Sequence, residues 1–242
     1  MHIPASQGPT RAFSLIELIV VVTIILLLAA LLIPVTVTMQ REGRRATCAG
    51  QLRQFGMAVQ NYANDNDGAL VSGANSSYYW LQFLRPYLEG YNKSQDPVTL
   101  PKMAYCPDWF VSDPVGRKQG KSNLWDIGYS MNIMPIYDPS VPDTSKHNRW
   151  YGSGTVRDTS WTADYKMMDV TYKSTRALIL DGEEWQTSNS AGFVSFDRHS
   201  AKSTDKNNPN NRANVLFFDY HVESCNPATI KLALNDPKQL QK

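Results

Sequence analysis

LIVVVTIILLLAALLIPVTV, residues Leu18 to Val37, is the stretch on which the reading of this chain turns. As a helix rising about 1.5 Å per residue, these residues cover roughly 30 Å, the thickness of a bilayer's hydrocarbon core. A helix apolar on every face over that length is rarely accommodated inside a soluble domain of this size. A secretory signal peptide has a shorter apolar stretch and a small-residue exit site, and no A-x-A exit precedes Arg41. The stretch is therefore expected to be a membrane anchor.

What surrounds the run differs from it in character. The 242-residue chain has a mean hydropathy of −0.37, so the remainder is polar enough to offset the anchor. Hydrophobic residues at 42% and charged residues at only 19% exclude a disordered chain and leave length for one sizeable folded head. The 24 basic against 22 acidic residues carry no nucleic-acid signature, and none is expected as a partner. Flanking charge does not orient the anchor. Arg11 precedes it and Arg41, Arg44 and Arg45 follow it, yet long domains translocate largely regardless of nearby charge.

Immediately before the run stands Arg11-Ala12-Phe13-Ser14-Leu15-Ile16-Glu17. A carboxylate bordering a bilayer helix wants a partner, because an unpaired one at the centre costs about 2.5 to 3.5 kcal/mol. This segment resembles the prepilin processing signal of type IV pilins and type II secretion pseudopilins: a basic leader, a small residue, Phe-x-x-x-Glu and an apolar helix. Ala12 stands where that family usually carries glycine. The resemblance implies cleavage between Ala12 and Phe13 by a prepilin peptidase on the cytoplasmic side, with methylation of the new amine. It further implies that the Phe13 amine and Glu17 pair between neighbouring subunits during assembly. Pro34 falls where many pilins carry a helix-bending proline. The partners implied are copies of the chain or other pilin-like subunits, the peptidase and an inner-membrane assembly platform. The N-terminus would be cytoplasmic, with a single pass through the inner membrane and a head in the periplasm or on an extracellular filament.

Beyond Arg45, apolar residues recur at Cys48, Leu52, Phe55, Val59 and Tyr62, on one face of a helix. Asn64-Asp65-Asn66-Asp67-Gly68 signals its end. Gly43, Gly50 and Gly56 each weaken it by about 1 kcal/mol relative to alanine, so packing must supply its stability. The expected organisation is a leader at 1–12, a transmembrane helix at 13–40, an amphipathic spine at 41–64 and an extracytoplasmic head at 65–242. The expected fold class is α+β: one long N-terminal helix, half transmembrane and half amphipathic, packed on a small antiparallel sheet with long loops.

In the head, Arg176 to Asp181, Phe193 to Phe196 and Ala213 to Phe218 are short strand candidates bounded by turn formers, and Asn226-Pro227 begins a capped helix. Residues 107–128 and 137–165 read as long loops. Three cysteines allow three single-bridge pairings. Cys48 with Cys106 is preferred because Tyr105-Cys106-Pro107 lies on a stretch able to cover the spine, leaving Cys225 buried or available to another chain. Cys48 to Gly56, Tyr62 to Asp65, Tyr105-Cys106-Pro107 and Tyr129 to Asn132 also resemble segments of a group of bacterial pilin-like proteins. That group closes on a His followed about nine residues later by Asp-Gly-His.

Here the closing pattern is His199, a polar insert at Ser203 to Asn214, then Asp219-Tyr220-His221. Tyrosine in place of a hairpin glycine is expected to alter the turn, since a left-handed conformation costs it about 1 to 2 kcal/mol. His199, Asp219 and His221 are the candidates for a metal or acid/base site, set against a structural His–Asp cluster, which is the preferred reading. HExxH, GxSxG, P-loop, CxxC and GxGxxG patterns do not occur. Asp181-Gly182-Glu183-Glu184 reads as an acidic turn, and Asn64 to Asp67 lacks the spaced glutamate of an EF-hand. No cofactor and no enzymatic activity are expected. The alternative is an anchored extracytoplasmic enzyme or binding protein using His199, Asp219 and His221.

Overall fold

The computed structural model describes residues 14–71, 80–91, 100–112, 127–132, 166–170, 172–183, 186–187, 194–196, 199, 205 and 208–234; among these, the side chains of 31, 33–35, 37, 110–112, 169 and 186 are also outside the description. The leader, Ala12, Phe13, Phe193 and most of the two expected long loops lie outside these residues. The chain divides into two compact units, Met1–Glu42 and Gly43–Lys242.

Helix α1 spans Leu15–Asp65, 51 residues, and passes through position 34 as helix. Ser14 opens it: its backbone N–H donates to Glu17 Oε2 at 3.0 Å, the reach-back half of a capping box. In the first unit the described large apolar side chains are exposed, from 75% at Leu15 to 46% at Val22. Among the described residues no helix is long and apolar enough to cross a membrane. The undescribed side chains of α1 fall in the last third of the apolar run.

In the second unit the predicted stripe is the buried face of α1. Cys48, Leu52, Phe55 and Val59 have no exposure, and Tyr62 packs partly buried beside them. Phe55 makes edge-to-face contacts with Trp80 (5.5 Å) and Tyr129 (5.3 Å), worth about 0.5 to 1.5 kcal/mol each beyond their burial. The Asn-Asp run ends the helix as expected. Gly68, at φ +78°, donates its N–H to Ala63 O at 2.7 Å.

Short helices α2 (Trp80–Leu84) and α3 (Pro107–Ser112) precede a five-stranded sheet. Its strands are β1 (Tyr129–Asn132), β2 (Ala177–Asp181), β3 (Gln186–Thr187), β4 (Ala213–Phe217) and β5 (Val222–Cys225), in the order β3-β1-β2-β4-β5. Four strands are antiparallel, and the expected antiparallel sheet gains a two-residue parallel edge, β3 on β1. The fold class is α+β. β2 and β4 answer to the RALILD and ANVLFF runs, while of the Phe193 to Phe196 candidate Val194 forms only an isolated bridge to Gly182.

Both faces of the sheet are covered, which is why β2 and β4 are runs of apolar residues rather than alternations. Ile179 and Leu216 face α1, whereas Leu180, Val215 and Phe217 pack with Ile230 and Leu234 of α4 (Pro227–Leu234). Asn226 Oδ1 caps α4 by accepting the Thr229 N–H at 2.9 Å. A register shift between Ala177 and Ile179 lets the neighbours Leu178 and Ile179 both face the α1 side.

Candidate functional site

The cysteine and histidine chemistry gathers under the spine. Cys48, from α1, bridges Cys106, one residue before α3, with Cα atoms 5.3 Å apart. The loop closed is 58 residues long, so in the chain-entropy view the bridge contributes about 4 kcal/mol. Tyr129 seats the first strand on the same turn of α1. Its hydroxyl donates to Gln51 Oε1 at 2.6 Å, and it lies 3.3 Å from Cys48 O.

Beside the bridge runs a buried ionic chain. Arg44 Nε of α1 donates to Asp108 Oδ1 of α3 at 2.6 Å. His199 Nδ1 donates to Asp108 Oδ2 at 2.9 Å, and His199 Nε2 lies 3.0 Å from Asp181 Oδ2 at the end of β2. The same Asp181 oxygen accepts the Asn214 backbone N–H at 2.7 Å from β4. The His199 and Asp181 side chains are wholly buried and that of Asp108 is 5% exposed. Each imidazole nitrogen faces a carboxylate oxygen, and only the doubly protonated ring can donate to both. With Arg44, two cations then balance two aspartates. Burial alone would raise the Asp108 carboxyl, but the hydrogen bonds and charges of His199 and Arg44 outweigh it and hold it below its ordinary value.

The three residues singled out in the sequence therefore occupy two settings. His199 belongs to the buried chain. His221 sits on the partly exposed β4–β5 hairpin with Nδ1 at 2.5 Å from Asp219 Oδ1, and its ring stacks on Phe217 at 4.3 Å. The hairpin also corrects an expectation. Tyr220 takes the glycine-like conformation itself, at φ +70°, rather than changing the turn, whose Tyr220 N–H still donates to Phe217 O at 3.0 Å. Packing offsets the strain, for the Tyr220 ring lies on α1 where Gly56 has no side chain: a Cβ there would stand 3.5 Å from Tyr220 Cδ1 and 3.2 Å from Leu216 Cδ1.

Asp181 ends β2, as the Arg176 to Asp181 candidate expects, and is fully buried rather than the opening of an acidic turn. Its neighbour Gly182 must lack a side chain, because a Cβ would fall 1.6 Å from Ser130 Oγ. Sequence reading missed Arg44, Asp108, Asp181 and Asn214. The available signal for Asp108 was its place after Cys106-Pro107 at the start of a helix, where acids are favoured. Cys225 is the free cysteine among the described residues, and burial, with Glu223 nearby, pushes its thiol up to about 12. In the first unit a groove of about 360 Å³ is lined by Ile16, Glu17, Val20 and Val21. Ala12 and Phe13 lie outside the described residues. Comparison of the chain with family models, with curated proteins and with solved structures finds no match in any of the three.

Proposed function

We propose that this chain is a structural, non-enzymatic subunit of a type IV pilus-like or type II secretion pseudopilus-like filament. Residues 1–12 are a leader removed before Phe13, the apolar half of α1 is the inner-membrane anchor, and the head lies outside the cytoplasmic membrane. The observation that carries the reading is the two-sided use of one helix. From Leu15 to Leu28 its described large apolar side chains are 46 to 75% exposed, while from Cys48 to Val59 the stripe is sealed in the head. Apolar surface on that scale requires a cover, and a bilayer before assembly and neighbouring helices after it both provide one.

Glu17 supports the same reading. It is the one acid in the first turn of α1, it borders the apolar groove, and Ser14 N–H already engages one of its oxygens. With Phe13 freed by cleavage, its amine lies four residues from Glu17, about 6 Å along the helix, and a neighbouring subunit's amine is an equally suitable cation. The burial of His199 between the carboxylates of Asp108 and Asp181 supports a scaffold role for the residue. Co-expression with a prepilin peptidase tests the proposal by intact mass. The expected product begins at Phe13 and carries one added methyl group. A sole cut after residue 30 would identify a signal peptide and defeat it.

A further inference from the structure

The Cys48–Cys106 bridge has a third soft-ligand group against it. The two sulfurs and one ring nitrogen of His199 lie within 4.8 Å of one another, and all three residues are buried. Around a tetrahedral zinc ion, with bonds of about 2.3 Å to sulfur and 2.0 Å to nitrogen, neighbouring ligand atoms stand roughly 3.5 to 4 Å apart. The ring nitrogen is thus already within reach of both sulfurs, and reduction of the bridge lets the two bonded sulfurs part to the spacing that one ion imposes. Asp181 stands on the ring side of this group, outside its mutual spacing, and would have to close on the sulfurs to complete the shell: it is fully buried, its Oδ2 is 3.0 Å from His199 Nε2, and its Oδ1 has no hydrogen-bond partner among the described residues. Asp108, accepting from His199 Nδ1 and backed by Arg44, supplies the carboxylate that orients a metal-bound histidine from behind.

We propose that, when the bridge is reduced, Cys48, Cys106 and His199 hold one thiophilic divalent cation of the zinc class, with Asp181 as fourth ligand and Asp108 as the positioning residue. Two thiolates and an imidazole select zinc over the oxygen-seeking magnesium and calcium. In the first step a phosphine takes part with water: the S–S bond breaks, each sulfur leaves as a thiol, and the phosphine is oxidised to its oxide. In the second, the cation displaces both thiol protons and the Nε2 proton to solvent and bonds to the three freed atoms. A two-electron oxidant, such as a small disulfide that takes two protons from solvent and is itself reduced to two thiols, restores the bridge and releases the cation. The ion ties α1 to the start of α3 as the bridge does, so the same elements stay joined in either state.

The test uses the full chain in detergent micelles, reduced with a phosphine, stripped with a chelator and titrated anaerobically with Co²⁺. The expected result is a thiolate-to-cobalt charge-transfer band saturating near one equivalent and bleached by Zn²⁺. The unreduced chain and the Cys48→Ser and Cys106→Ser variants should lack the band, and Cys225→Ala should keep it. Asp108→Asn should weaken binding about 10- to 100-fold. X-ray absorption of the zinc-loaded wild-type chain needs no variant, and the expected shell is two sulfurs and two nitrogen or oxygen atoms. Absence of the band in reduced chain that retains its near-UV circular dichroism would overturn the proposal. So would a shell without sulfur, or a band unchanged in His199→Gln.

Discussion

Replacing His199 with alanine removes the cation between two buried carboxylates, and the structure sets the size of the penalty. Asp108 keeps Arg44 at 2.6 Å, so the burden falls on Asp181, left with the Asn214 backbone N–H at 2.7 Å. Breaking a buried ion pair by deleting one partner costs about 3 to 5 kcal/mol. The expected loss is therefore about 3 to 5 kcal/mol, a large part of the roughly 5 to 15 kcal/mol that holds a typical domain folded. Urea unfolding of the full, bridge-intact chain in micelles, followed by the fluorescence of buried Trp80 and Trp109, measures it. His221→Ala, on the partly exposed hairpin, should cost less than about 1 kcal/mol in the same assay. A His199→Ala midpoint matching wild type, or a larger loss for His221→Ala, would refute the view that His199 is the centre of the buried ionic chain.

Glu17 has two separable roles, and Glu17→Gln divides them. An amide still accepts the Ser14 N–H but carries no charge, so Gln should preserve helix entry and fail in assembly as Glu17→Val does, while both variants insert and are cleaved; equal recovery of Gln and wild type in sheared filament material would assign Glu17 to capping alone. Gly50 lies in mid-helix with open space around its would-be Cβ, so Gly50→Ala should stabilise the head by about 1 kcal/mol in urea unfolding. Gly56→Ala should give less or reverse sign, because its Cβ meets Leu216 Cδ1 at 3.2 Å. Cys225 should resist a thiol reagent at pH 8 until the chain is unfolded. Its raised thiol makes the folded state hold its proton longer than the unfolded one, so stability should fall by up to about 1.4 kcal/mol per pH unit from about pH 9 towards 12. Tyr62, Tyr105 and Tyr220, also raised by burial, act in the same direction, so Cys225→Ala should shallow this slope without removing it in alkaline urea titrations.

Whatever repeats along the chain or sits within one turn of helix was open to reading from the residues. The 4-3-4-3 stripe from Cys48 to Tyr62, the Asn-Asp-Gly stop at Gly68, the Asn226-Pro227 cap and the apolar runs of β2 and β4 are all local, set by periodicity, hydrogen-bond reach and backbone preference. The capping box at Ser14 and Glu17 was equally local, but the charge of Glu17 drew attention from its hydrogen bond. β1, β3 and β5 are short and take their identity from the strands beside them, so their composition announces little. The ionic chain is the extreme case. Arg44, Asp108, Asp181 and His199 come from distant points of the chain, and each alone reads as an ordinary solvated charge. Only the closure of α1, α3 and the sheet around them removes the water, and once it is gone each charge must find its partner inside the protein. Tyr220 follows the same logic: local preference argued against a left-handed tyrosine, and packing against α1 beside Gly56 outweighed it.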